Sequence, residues 1–231
     1  GDIDFPIKGV NLPARTVSGD FYDFYPLDDG RIAFTLGDVS GKGMNAALLR
    51  AKTASLLRCL GKSIKEPGRL LAIVNDEICE TATRGMFVTL VHGVYDPACG
   101  YVRLANAGHE PPLILSTDGT FKAIDAEAPP LGIAPSILGE ESFPETDFNL
   151  DDGKLFVFTD GVTEGYIAEN VELGIDGLKD ILTAPDAPAM AEVLSSIAEK
   201  IGGFGNALRD DVTIIGIDDE LAAHTLRTPD L

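Results

Sequence analysis

The sequence predicts an α+β fold in one domain, and three observations carry that prediction. Most apolar runs follow one another through short turn sequences such as "DDGR", "DPACG" and "TDGT", which favours antiparallel strand pairing. Stretches with apolar residues at threes and fours come in two pairs, as paired helices do. No internal repeat or linker divides the 231 residues, a length able to bury a substantial core.

Residues 3–16 and 20–27 read as extended, and "DDGR" (28–31) has hairpin chemistry before the buried strand "RIAFTLGDV". "MNAALLRAKTASLLRCL" (44–60) is a helix, and "GRLLAIVNDEICETA" (68–82) is its partner after Pro67. "MFVTLVHGVYD", "YVRLANAG" and "PPLILS" make three strands, followed by "FKAID". Residues 124–146 read as loop, and "KLFVFTDGV" (154–162) is a strand ending in an acid. Helices at 174–183 and 188–201 precede a last strand, "DDVTIIGID". The domain is therefore 1–219, with 220–231 as a C-terminal tail.

Composition narrows the partners. Lys plus Arg number 18 against 37 Asp plus Glu, a net charge of −19, which repels nucleic acid and anionic membranes. No apolar stretch approaches the roughly 20 residues that span a bilayer. The opening "GDIDFPIKGV" has neither the basic nor the apolar region of a signal peptide, so a cytoplasmic location is expected. Cys59, Cys79 and Cys99 have no CxxC spacing, which predicts reduced, largely buried thiols. His92, His109 and His224 form no HxxxH or HExxH pair.

"GDVSGKGMNAALL" (37–49) invites a phosphate-loop reading, which fails. That loop needs four residues between its first Gly and the Gly-Lys, and a hydroxyl after Lys. Here Gly37 and Gly41 enclose three, and Gly43 stands in the hydroxyl's place. Gly41 and Gly43 instead suit a tight turn into the helix.

Asp38 has company. Acids follow apolar runs or turns in "SGDFYD" (Asp20, Asp23), "LGDVS" (Asp38), "FTDGVTE" (Asp160, Glu164) and "LRDDVT" (Asp210, Asp211). Any one of them alone reads as a turn-former or helix cap. Four such sites without cations at matching spacing point to a shared multivalent ion, and hard oxygen ligands suit Mg²⁺ or Mn²⁺. A phosphoryl-enzyme mechanism would need an Asp two residues before Asp160; Phe158 stands there.

Taken in order, "SGDFYDF", "GDVSGKGMNAAL", "MFVTLVHGVYD", "NAGHEPPLIL", "PPLGI", "FTDGVTE" and "RDDVTIIGI" resemble the SpoIIE-type branch of the metal-dependent, protein phosphatase 2C-like enzymes, from about residue 7 to residue 217. The resemblance implies a four-layer α-β-β-α sandwich with two largely antiparallel sheets. It also implies hydrolysis of protein phosphoserine or phosphothreonine by a hydroxide bridging two Mn²⁺ or Mg²⁺ ions. Asp38 matches the bridging acid, and the Val39 carbonyl matches a ligand beside it. Asp20 matches the acid on one metal, and Asp160 and Asp210 match those on the other. Asp211, one residue on, is the alternative to Asp210, and Asp23 matches an acid behind the ligands. Asn106, Gly108 and His109 resemble a shaped strand connection, Gly161 a turn residue, and Arg15 a phosphate-holding arginine whose odd offset from Asp20 puts that role in question.

Members of this branch are commonly output domains behind a receiver or other sensor module in a longer signalling protein, and their usual substrates are phosphorylated STAS-type anti-sigma-factor antagonists. The resemblance also admits a homodimer. A rival reading is a silent phosphatase-shaped module that sequesters a regulatory partner. Loss of metal acids would mark it, and none of the four matched acids is lost.

Overall fold

Strands buried on both faces form where the sequence runs apolar without alternation. In the strand Lys154–Phe158 (β9), Leu155 and Val157 enter one core layer while Phe156 and Phe158 enter another. A computed structural model describes residues 5–14, 18–81, 85–135, 142–184, 189–203 and 208–226. Its described strands build two five-stranded sheets in which every pair is antiparallel.

The first sheet joins β9 to Ile7–Leu12 (β1), Leu113–Leu115 (β6), Phe121–Ala123 (β7) and Val212–Asp218 (β12), in the order β1-β12-β9-β6-β7. The second is ordered Phe21–Pro26 (β2), Ile32–Val39 (β3), Val88–Asp96 (β4), Tyr101–Ala107 (β5) and Thr146–Asn149 (β8). Phe34, Leu36, Val91, Leu104, Leu155, Val157, Ile215 and Ile217 fill the layer between the sheets. Helices Met44–Leu60 (α1) and Pro67–Thr81 (α2) cover the second sheet through Leu49, Leu57, Leu71 and Ile78. Helices Gly174–Leu182 (α4) and Met190–Gly202 (α5) cover the first through Leu178, Leu194 and Ile197. The four-layer α-β-β-α sandwich is the architecture expected. Burying each such side chain contributes roughly 1.5–3 kcal/mol, so tertiary packing outweighs end effects in α1, which starts at Gly43 without a side-chain cap.

The structure departs from the sequence reading in definite places. Within the expected loop 124–146, Thr146 already starts β8, a half-exposed edge strand on β5. The expected strand 154–162 stops at Phe158, and Asp160–Thr163 (α3) is a helical turn. It is followed by an unforeseen hairpin, Tyr166–Ala168 (β10) with Val171–Glu172 (β11). The expected tail begins as a helix, Asp219–Leu226 (α6). Asp219 is fully buried there and accepts hydrogen bonds from the Tyr95 hydroxyl at 2.6 Å and the Asp152 backbone N–H at 2.9 Å. Cys59 and Cys99 are exposed and Cys79 is half-buried, contrary to the buried thiols expected. Cys59 falls on the outward face of α1, and Cys99 sits in the turn between β4 and β5. No helix among the described residues is long and apolar enough to cross a membrane.

Candidate active site

Antiparallel register brings the acids to one end of the sandwich. Phe21 pairs with Gly37, so Asp20 and Asp38 stand one step beyond that pair, before β2 and near the end of β3. In the other sheet Thr159 N–H donates to the Thr213 carbonyl at 3.0 Å, which sets Asp160 beside the start of β12 and its preceding Asp210 and Asp211. Asp38, Asp210 and Asp211 line a cleft of about 180 Å³ together with Gly19, Val39 and Lys42 among others, and Asp20 and Asp160 stand close enough behind it to act on Asp38.

Asp20 bridges the two sheets. Only 2% exposed, it accepts the Thr213 hydroxyl at 2.6 Å and the Thr159 hydroxyl at 2.8 Å, both on the same oxygen. Burial pushes its carboxyl up to about 8 against the pull of these two hydroxyls, with Asp38 and Asp211 adding repulsion. Asp38 is raised to about 6 by burial and by the charges of Asp160 and Asp210, and a hydrogen bond with Asp20 works the other way. Asp160 is raised by burial and by Asp210. These carboxylates therefore repel one another, and none of Asp20, Asp38, Asp160 or Asp210 has an ion pair among the described residues.

Gly19 explains how Asp38 and Val39 come to share an opening. A Cβ on Gly19 would lie 2.8 Å from Asp38 Oδ1 and 3.3 Å from the Val39 carbonyl oxygen. Both oxygens thus crowd the Gly19 α-carbon, and only glycine leaves their approach free. Gly41 and Gly43 serve differently: their φ angles of 91° and 84° lie in the left-handed region, with no backbone nearby. They turn the chain from Asp38 into α1.

The neighbouring acids Asp210 and Asp211 do different work. Asp211 is buried, and its two carboxylate oxygens take the Ala14 and Gly19 backbone N–H groups, each at 2.7 Å. Asp210 is exposed at the cleft, where one oxygen accepts the Asp211 N–H at 2.9 Å. Asp211 anchors the chain leading to Asp20, whereas Asp210 faces outward.

Asp23 lies elsewhere. Its carboxylate pairs with Arg58 of α1 at 2.6 Å and 2.8 Å, on the helix side of β2, because strand alternation turns it away from the cleft. Asn106 accepts the His109 N–H at 2.8 Å and donates to the His109 carbonyl at 3.2 Å, closing the expected shaped connection. Gly108 adopts a φ of 64° within it. His109 Nε2 donates to the Phe158 carbonyl at 3.1 Å, which leaves Nδ1 to accept from the Thr89 hydroxyl at 3.0 Å. Burial depresses this imidazole to about 4, so it stays neutral and ties β9 to the opposite sheet. Arg15 lies outside the described residues.

Sequence reasoning missed three contributors. Thr159 and Thr213 clamp Asp20, and each is a hydroxyl inside an otherwise apolar run, which was the available signal. Glu110 of "NAGHEPP" is raised by burial and by the charges of Asp160 and Glu164, so it stands within reach of Asp160.

Among the described residues, no three His, Cys, Asp or Glu side chains stand grouped so as to hold a metal ion. The donor set nonetheless suits a hard divalent ion: carboxylates that repel one another, and a glycine cradle leaving two oxygens open.

The α-β-β-α sandwich is the fold of the PP2C phosphatase domain of SpoIIE from Bacillus subtilis, whose structure superposes with a TM-score of 0.73 at 20% identity, over 92% of this chain and 63% of that one. The chain is 31% identical to protein IcfG of Synechocystis over 91% of its length, and 29% identical to the phosphoserine phosphatase RsbU of Bacillus subtilis over 90%. It spans 37% and 62% of the lengths of those two relatives. The crystal structure of the RsbU and RsbW domains of Rv1364c from Mycobacterium tuberculosis superposes with a TM-score of 0.75 at 23% identity, over 92% of this chain and 59% of that one. The model of the Stage II sporulation protein E (SpoIIE) family matches residues 28–218, and the chain belongs to that family.

Proposed function

We propose that this domain is a metal-dependent protein serine/threonine phosphatase whose ions are held by Asp20, Asp38, the Val39 carbonyl, Asp160 and Asp210. The observation that carries the reading is that acids from four segments act on one another around Asp38, without an ion pair among the described residues, beside a cleft that Asp38 and Asp210 line. When bound, two Mn²⁺ or Mg²⁺ ions supply an activated water and neutralise charge on the phosphoryl oxygens. Asp38 would be the shared ligand, a reading supported by its hydrogen bond with Asp20 and by the charges of Asp160 and Asp210 that reach it. Thr159 and Thr213 hold Asp20 in one orientation, and Asp211 holds the Gly19 backbone beside it. The charged rim contributes Lys42 and Arg209, which attract a phosphate to an otherwise acidic cleft.

The substrate we propose is a phosphorylated STAS-type anti-sigma-factor antagonist, and the longer protein would carry a sensor or receiver module. The family, the phosphoserine phosphatase named among the relatives, and the fraction of their length spanned here support both. Manganese-dependent hydrolysis of p-nitrophenyl phosphate tests the activity. Turnover that appears with Mn²⁺ and vanishes with a chelator is expected. Binding of a phosphoprotein without any metal-dependent turnover would instead favour the silent, sequestering module.

The two adjacent acids can be separated experimentally. Asp210→Asn should weaken Mn²⁺ binding with little change in the metal-free melting temperature. Asp211→Ala frees two backbone N–H groups, each costing about 1–3 kcal/mol where buried, so it should melt several degrees lower. Calorimetric Mn²⁺ titration and thermal melts of both variants check this. The reverse pattern would make Asp211 the ligand.

A further inference from the structure

Positions 44, 48, 51, 55 and 59 of α1 form an uncharged exposed stripe in a chain of net charge −19, bordered near its C-terminal end by the exposed Arg58. Met44 is 73% exposed and Leu48 61%, and Ala51, Ser55 and Cys59 continue the same exposed stripe at helical spacing. The helix itself has three basic residues, Arg50, Lys52 and Arg58, and no acid. Two of these are engaged, Lys52 with Glu77 and Arg58 with Asp23. The stripe starts at the active site, since Gly43, Ala46 and Ala47 line the cleft and Lys42 stands exposed on its rim.

Position decides what must cover this surface. A phosphoserine side chain is short, so a protein that delivers its phosphate into the cleft comes against the rim, of which Lys42, Gly43 and the first turn of α1 form one side and Ala14, Ser18 and Arg209 another. Exposed apolar side chains at such a place are binding surface, and a flexible Met adapts to varied partners. A basic residue beside them favours a phosphorylated or acidic partner and speeds encounter.

We propose that Met44 and Leu48, with Lys42 beside them, form the docking edge for the phosphoprotein substrate and take up an apolar side chain next to its phosphoserine. This rests on the phosphatase reading above and adds a specificity determinant to it. The three residues select the protein, and the acids of the cleft act on its phosphate.

The test compares wild type with Met44→Gln/Leu48→Gln, changes that keep helix propensity at exposed positions. Two substrates are used in Mn²⁺, p-nitrophenyl phosphate and a phosphorylated STAS-domain protein, and binding of that phosphoprotein is measured separately by calorimetry without metal. The ratio of kcat/KM on the phosphoprotein to that on p-nitrophenyl phosphate should fall at least tenfold, through KM, and binding should weaken in parallel. An unchanged ratio with unchanged binding would overturn the proposal. So would a variant that differs only in oligomeric state by light scattering, which would make the stripe a contact between copies. Binding that depends on Met44 and Leu48 in a wild-type protein without turnover would uphold docking while the phosphatase reading fails.

Discussion

Asp38→Ala is expected to reduce manganese-dependent turnover by at least about 10²-fold, more than Asp20→Ala does, because it removes the acid proposed to be shared by both ions. The fold should survive. Asp38 is half-buried at the end of β3 and makes no ion pair among the described residues, so its removal opens no large cavity. The metal-free domain should in fact gain stability. Burial and the charges of Asp160 and Asp210 raise this carboxyl to about 6, above its ordinary value of 3.8. The folded state therefore binds its proton more firmly than the unfolded chain. Its favourable contribution is present in full below about pH 4 and is lost as the pH rises through 6. Ionised Asp38 thus costs the empty domain roughly 1–3 kcal/mol at neutral pH, and the alanine variant escapes that cost. Melting curves should diverge from wild type far more at pH 7.5 than at pH 4.5, where only a minor part of the cost is present. Mn²⁺ should raise the wild-type melting temperature at pH 7.5 by mass action and move the variant much less. Near-wild-type turnover of Asp38→Ala in saturating Mn²⁺ would remove Asp38 from the shared position.

Where local chemistry decides the structure, the sequence was legible. The apolar spacing of 44–60 corresponds to α1, Met44–Leu60, and the unbroken apolar run "LFVF" to a strand buried on both faces. The candidate acids could be picked out because each follows an apolar run or a turn, and antiparallel register sets the start of β2 beside the end of β3 and the end of β9 beside the start of β12. What the sequence hid depends on partners distant along the chain. Thr146–Asn149 alternates between half-buried and exposed residues and is a strand only because β5 offers an edge to pair with. The start of α6 reads as a polar tail until Asp219 meets the Tyr95 hydroxyl, 124 residues away. Asp23 and Asp20 look alike in "SGDFYD", yet an odd separation along the chain turns one toward Arg58 and leaves the other between Thr159 and Thr213. The division of labour between Asp210 and Asp211 is equally invisible, because it is fixed by the Ala14 and Gly19 N–H groups.

Gly161→Ala should be the most damaging glycine-to-alanine change among the described residues. The sequence suggests that this glycine serves a turn, but its φ does not lie in the left-handed region, unlike those of Gly41 and Gly43. Its role is room. A Cβ on Gly161 would stand 1.9 Å from the Asp211 carbonyl oxygen, a backbone atom that cannot rotate away. Relief requires α3 and the segment before β12 to separate by about 1 Å, against the hydrogen bond from Thr159 N–H to the Thr213 carbonyl. Overpacking of this kind costs roughly 1–3 kcal/mol, or more against backbone, and a melting temperature lower by roughly 5–10 °C is expected. The same separation carries Asp160 away from Asp210, and a misplacement of about 1 Å in a reacting site can cost about 10² in rate. Turnover and Mn²⁺ affinity should therefore fall together, even at temperatures where the variant is fully folded. Gly119→Ala supplies the contrast: its φ of 84° strains a side chain, but no atom lies within 4 Å, so a loss of only about 1 kcal/mol and unchanged turnover are expected there. A Gly161→Ala protein that melts within 2 °C of wild type and turns over normally would show that the two segments are not held together as this geometry requires.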